Sequence, residues 1–255
     1  MNTRVAIAGD WHINTDWAVR TLESIADAGV STVYHVGDFG FWPGQYGQDY
    51  LDAVDATLER LGQTLLVTMG NHDDYVFADS LVPAEDGTLP VTDRISIASR
   101  GHRWSVDGVS FVSLGGAASI NFQDLTEGID WWRQEAITYG DVMRTVAGGQ
   151  ADVMIAHDAP NGVPALSVNS KNDNSKLSVE ALQYAAESRY MMTHAVDGVR
   201  PKVFFHGHYH KAYINDAVLG VPGDTYNVRS VGLAKDKDAN NVAILDVSDL
   251  SVRFL

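Results

Sequence analysis

Residues 64–74 read TLLVTMGNHDD. An apolar, β-branched run of strand length gives way at Gly70 to Asn71, His72, Asp73 and Asp74 with no spacer between them. Such a run has the composition of a buried strand, and a glycine lets the chain leave it in a sharp turn. A carboxamide, an imidazole and two carboxylates at that exit put oxygen and nitrogen donors where a sheet edge meets solvent. Four other apolar runs also end in oxygen or nitrogen donors, three of them through a glycine. Residues 5–9, VAIAG, lead into Asp10, Trp11 and His12. Residues 32–37, TVYHVG, lead into Asp38. Residues 153–156, VMIA, lead into His157, and residues 203–207, VFFHG, into His208, Tyr209 and His210.

Helical patterns separate the first three runs, over residues 16–29 with a glycine stop and over residues 50–61. This βαβαβ order implies neighbouring parallel strands. Parallel strands carry their C-terminal ends on one edge, where α/β proteins bind ligands. Donors scattered over two hundred residues of sequence can therefore meet in one crevice.

Further along, residues 94–105 and 109–114 flank Asp107-Gly108 and read as a hairpin. Residues 130–150 and 177–196 read as helices, and the tail as antiparallel strands. A polar, turn-rich stretch follows His157; its length fits a solvated loop without contacts first, and second a candidate lid with Asn169, Lys171 and Lys176 near the substrate. The expectation is one domain over residues 1–255, built from two packed sheets with helices outside them.

Composition narrows the function. The 255 residues include no cysteine, which excludes thiolate zinc sites and cysteine nucleophiles and fits a reducing compartment. No run reaches the roughly eighteen apolar residues of a membrane span. The N-terminus reads as a strand rather than a signal peptide, so the expected location is the cytoplasm. A formal net charge of −15 disfavours long nucleic acid as a partner, and some of those carboxylates are candidate metal ligands. Of nine histidines, His35, His102, His194 and His206 sit in apolar strands or in polar contexts without a neighbouring donor set. The other five fall at strand ends beside glycine or a carboxylate.

Asp10-Trp11-His12, Gly37-Asp38, Gly70-Asn71-His72-Asp73, His157 and Gly207-His208-Tyr209-His210, in this order, resemble the calcineurin-like metallophosphoesterase superfamily. The stretches GGAASINF and DWWRQE, with AHDAPNGVP, further resemble a small phosphodiesterase branch of bacteriophages and bacteria. The resemblance implies an α/β fold, a four-layer αββα sandwich of two mixed β-sheets flanked by helices. It also implies two divalent ions, one held by Asp10, His12, Asp38 and His210, the other by Asp38, Asn71, His157 and His208. Asp38 would be shared, with a bridging hydroxide as nucleophile and His72 as general acid toward the leaving group. A sulfur-free set of nitrogen and oxygen donors suits manganese, iron, zinc or nickel, and manganese is the expected ion.

The sequence departs from the superfamily's protein phosphatases, which carry Gly-Asp-x-x-Asp-Arg. Here Phe41 and Trp42 stand in place of the last aspartate and arginine. Lacking that arginine, the site is expected to favour a monoanionic diester over a dianionic monoester, so the expected substrate is a small cyclic or nucleotide-like phosphodiester. Phe39, Phe41, Trp42 and Tyr209 are candidates for stacking on a base, with packing within their loops as the equal alternative. A metal-dependent nuclease and a non-catalytic scaffold on the same fold are the alternatives. Intact ligand positions and an intact His72 weigh against the scaffold. Asp73 and Asp74 are expected to open the following helix.

Overall fold

The computed structural model describes residues 3–164 and 177–255; the stretch holding Asn169, Lys171 and Lys176 lies outside them. One sheet has seven strands: β1 (Arg4–Ala8), β2 (Thr32–His35), β3 (Thr64–Thr68), β4 (Leu89–Pro90), β5 (Ile95–Ala98), β12 (Val242–Asp246) and β13 (Ser251–Phe254). Their order is β13-β12-β1-β2-β3-β5-β4. The other has six: β6 (Arg103–Val106), β7 (Val109–Leu114), β8 (Val153–Ala156), β9 (Val203–His206), β10 (Tyr213–Val221) and β11 (Asp224–Gly232), ordered β10-β11-β9-β8-β7-β6. Each sheet has a parallel centre, β1-β2-β3-β5 in the first and β7-β8-β9-β11 in the second.

Alternation along the strands builds the layers, because successive side chains point to opposite faces. Val5 and Ile7 of β1 join Val153 and Ile155 of β8 and Val203 and Phe205 of β9 in a core between the sheets. Ala6 and Ala8 face the other way, onto α1 (Thr15–Asp27) and α2 (Gly44–Leu61), with Leu22, Ile25, Val54 and Leu58. On the far side, Met154 and Phe204 pack with Val142 of α4 (Tyr139–Ala147) and with Met192 and Val196 of α5 (Val179–Val199). The result is the four-layer αββα sandwich. No helix among the described residues is long and apolar enough to cross a membrane.

Three sequence expectations change. Residues 94–105 do not form one strand. They divide at Gly101, whose φ of 86° turns the chain, so that β5 belongs to the first sheet and β6 to the second. The hairpin with Asp107-Gly108 at its tip is β6–β7. Residues 130–150 are helical only over α4, preceded by a 3₁₀ turn, Arg133–Glu135. The reason is local. The Arg100 guanidinium takes the carbonyls of Gln134, Glu135 and Ala136, which a continuous helix would need for itself. The helix starts instead at a capping box between Thr138 and Asp141. Lastly, α2 begins at Gly44, earlier than residue 50.

Candidate metal centre

The C-terminal ends of β1, β2, β3, β8 and β9 gather their trailing loops at one edge of the sandwich. Ligand atoms of Asp10, His12, Asp38 and His210 lie within 4.8 Å of one another, a group that could hold a metal ion. Asp38 faces both ways. Its Oδ2 is 3.5 Å from Nε2 of His12, and its Oδ1 is 3.3 Å from Nε2 of the fully buried His157. Nε2 of His157 also lies 2.9 Å from Oδ1 of Asn71. The His208 ring sits beside His157, at 5.2 Å between centroids. The six other candidate ligands thus lie around Asp38, Asp10, His12 and His210 on one side and Asn71, His157 and His208 on the other.

The backbone is bent to achieve this. His12, Asp38, His208 and His210, four of the seven, have φ between 46° and 63°. Non-glycine residues adopt this left-handed region rarely, and such strain concentrates at functional sites. The approach is close enough to require glycine at two points. A Cβ on Gly70 would stand 2.2 Å from the backbone nitrogen and Oδ1 of Asp38, and one on Gly207 would stand 2.0 Å from Oδ1 of Asp10.

The donor set fits cations. Oδ1 of Asp10 is buried with no hydrogen-bond partner among the described residues. Nδ1 of His157 meets the Val36 carbonyl at 3.0 Å, so that nitrogen must donate. Its Nε2 then points a lone pair at two oxygens, those of Asn71 and Asp38, an arrangement that only a proton or a cation between them relieves. The electrostatics agree. Burial pulls the His157 imidazole down, but the Asp38 carboxylate beside it outweighs burial and pushes it up to about 10. His12 follows the same balance, burial against Asp38, and is pushed up to about 9. Despite burial, the imidazoles around Asp38, His157 foremost, hold its carboxyl well below the usual carboxylate range.

Several positioning groups carry no local signal in the sequence. Asp236 grips Nδ1 of His12 at 3.2 Å and accepts from Nδ2 of Asn14 at 2.6 Å, aiming Nε2 of His12 at Asp38. A carboxylate behind a metal-facing histidine fixes its orientation and raises its basicity. Asp158 accepts from the hydroxyls of Tyr209 and Ser188 and holds the loop after β9 against α5. Only the spatial contacts reveal either aspartate.

His72 lies next to Asp38, half-buried. Its backbone N–H donates to Oδ1 of Asp38 at 2.9 Å, and its carbonyl accepts from the Trp42 indole at 2.9 Å. Trp42 therefore anchors the loop that carries His72. It does not line the cleft. Phe39 is corrected outright: it is fully buried against Trp11, Phe41 and Tyr50 and has no face open to a base. Phe41 is likewise core. Tyr209 alone of the four aromatic candidates lines the cleft. Asp74 caps the short helix α3 (Tyr75–Asp79), as expected. Asp73 does not. Its buried carboxylate accepts from the backbone N–H groups of Gly40, Phe41 and Gly70, stitching the loops after β2 and β3 together. His35 and His206 are core residues, pushed by burial down to about 3 and about 4.

A cleft of about 510 Å³ opens beside the centre, with Asp38, Asn71, His72, His208 and His210 on one wall. The family model for calcineurin-like phosphoesterases matches residues 3–212. The chain belongs to that family. Solved structures extend the likeness to the whole fold. A protein of Thermus thermophilus, TT1561, is 10% identical with a TM-score of 0.55, over 99% of this chain and 98% of that one. A dimetal phosphatase from Danio rerio is 10% identical with a TM-score of 0.53, over 95% of this chain and 91% of that one. No curated protein matches the chain. As a member of this metallophosphoesterase family, the chain is read as a hydrolase, and the family's centres bind divalent metal ions.

Proposed function

We propose that this metallophosphoesterase hydrolyses small phosphodiesters at a dinuclear centre formed by Asp10, His12, Asp38, Asn71, His157, His208 and His210, with Asp38 shared. The observation that carries the reading is the convergence of these side chains around Asp38, with an orphaned oxygen on Asp10 and opposed lone pairs on His157, Asn71 and Asp38. When bound, two ions would polarise the phosphoryl oxygens and make water a nucleophile near neutral pH. The nitrogen and oxygen donors without sulfur favour manganese, with iron, zinc or nickel as alternatives.

The chain's own residues do the rest. His72, beside Asp38 on the cleft wall, donates a proton to the departing alkoxide. Asp236 and the Val36 carbonyl hold His12 and His157 in the tautomers that present Nε2 inward. Elsewhere in the cleft lining, Ile120 and Leu182 offer apolar surface, and Asn121, Arg189 and Lys211 offer polar and cationic groups. That lining and volume suit a nucleotide-sized ligand. No cation follows Asp38 where protein phosphatases place their arginine, which favours a monoanionic phosphoryl group. The test is hydrolysis of aryl esters by metal-stripped enzyme reloaded with manganese. Bis-p-nitrophenyl phosphate should be cleaved faster than p-nitrophenyl phosphate. The opposite preference would overturn the diester reading, and cleavage of single-stranded DNA would favour a nuclease.

A further inference from the structure

The stretches GGAASINF and DWWRQE lie far from the ligand blocks in sequence, yet they meet behind Asn71. Ser119 comes from the first and Glu135 from the second. Both are buried, Ser119 2% and Glu135 0% exposed. Glu135 accepts from the Ser119 backbone N–H at 2.7 Å, from the Ser119 hydroxyl at 2.7 Å and from the Tyr184 hydroxyl at 2.8 Å. The Arg100 guanidinium fixes the Glu135 carbonyl from the other side. Ser119 Oγ in turn accepts from Nδ2 of Asn71 at 3.0 Å.

The direction of this chain is determined by donor inventory. Burial pushes the Glu135 carboxyl up, but the Ser119 N–H and the Ser119 and Tyr184 hydroxyls all point at its oxygens and favour the ionised form; an ionised carboxylate only accepts, and a serine hydroxyl has one proton to give. With that proton committed to Glu135, Ser119 presents only lone pairs to Asn71. The carboxamide must then turn its NH₂ toward Ser119 and its oxygen toward Nε2 of His157. The reverse orientation would set oxygen against oxygen between two side chains that are each 2% exposed, at the cost of an unmade buried hydrogen bond.

We infer that Glu135 and Ser119 are positioning residues for the metal centre, a relay that selects the carboxamide orientation of Asn71 and so presents a neutral oxygen to one of the two ions. This rests on the dinuclear reading above. It gives the two stretches a shared purpose, since a loop and a 3₁₀ turn well separated in sequence are needed to build the relay.

Glu135→Gln reverses the polarity. The new amide can donate to Ser119, free the hydroxyl proton for Asn71 and flip the carboxamide. Manganese titration of the full chain by calorimetry is the test. Wild-type protein should take up two ions. In Glu135→Gln and in Ser119→Ala one of the two should bind about 10–100-fold more weakly, with the other unchanged. Neither substitution should weaken binding further in an Asn71→Ala background, because the group they position is gone. A merely structural role would add its loss in that background too, so additive losses overturn the inference. So does full affinity in both single variants. If Glu135→Gln fails to fold, the Ser119→Ala and Asn71→Ala cycle gives the same decision. Wild-type uptake of fewer than two ions would instead overturn the dinuclear reading, and the relay with it.

Discussion

His72 is held through its backbone. The N–H on Asp38 and the carbonyl under the Trp42 indole set where the imidazole stands, and the ring itself faces the cleft. His72→Ala should therefore keep its manganese while kcat falls about 10²–10⁴-fold, the usual contribution of a general acid. Metal analysis beside steady-state kinetics checks both halves, and loss of the ions would show that His72 is a ligand. Gly70, two residues earlier, is bound by contact and not by chemistry. A methyl group there meets Asp38 at 2.2 Å on backbone and carboxylate alike. Gly70→Ala should lower stability by about 1–3 kcal/mol, as overpacking does, and impair manganese uptake as Asp38 is displaced. Urea unfolding and titration measure the two effects separately.

At the scale of the element, the strand ends divide the labour. The C-terminal ends carry the centre, and the N-terminal ends of the second sheet are tied by Asp152. Its carboxylate accepts from the Ser110 backbone and hydroxyl just inside β7 and pairs with Lys202 before β9 at 2.8 Å. Partial burial opposes ionisation, but Lys202 and the Ser110 donors outweigh it and hold the Asp152 carboxyl down to about 2. A depressed folded-state value contributes stability above the unfolded value of about 4, and that stability is lost as pH falls through about 2. Asp152→Asn should accordingly be less stable than wild type at pH 6, by about 1 kcal/mol for so exposed a pair. The difference should close on acidification toward pH 2. Melting curves of the two proteins across that range test it, and a gap that widens with acid would contradict the assignment.

For the molecule as a whole, the cost of the centre is electrostatic. The chain carries a net −15, and the centre gathers the buried carboxylates of Asp10 and Asp38 at one edge while the backbone around them is forced into left-handed turns. Ions that bind the folded state and not the unfolded chain shift the equilibrium by mass action. At a free concentration a thousandfold above the dissociation constant the gain is about 4 kcal/mol. Chelation should lower the melting temperature and added manganese should restore it. A melting temperature indifferent to both would show that the folded site holds no ion. The sandwich makes this arrangement possible: the ligands sit on loops, but the loops leave strands locked between a core of Val5, Ile7, Ile155, Val203 and Phe205 and the outer helices.

What could be read in advance was whatever has a local signature. Apolar runs ending in a donor, all but β8 through a glycine, gave β1, β2, β3, β8 and β9, because burial and turning each demand particular residue types at adjacent positions, and the resemblance of those blocks to the superfamily implied the seven candidate ligands. Asp74, expected at a helix start, caps α3 with its own side chain. What needed the tertiary structure was every role defined by a partner distant in the chain. Asp236 meets His12 across 224 residues, Ser119 meets Asn71 across 48, and Arg100 takes the carbonyls that end the expected long helix. For Phe39 and Trp42 the choice between stacking on a base and packing fell to packing for the same reason. An aromatic residue beside a metal-binding block looks identical in sequence whether its ring faces a substrate or the core, and only packing against Trp11, Phe41 and Tyr50 decides it.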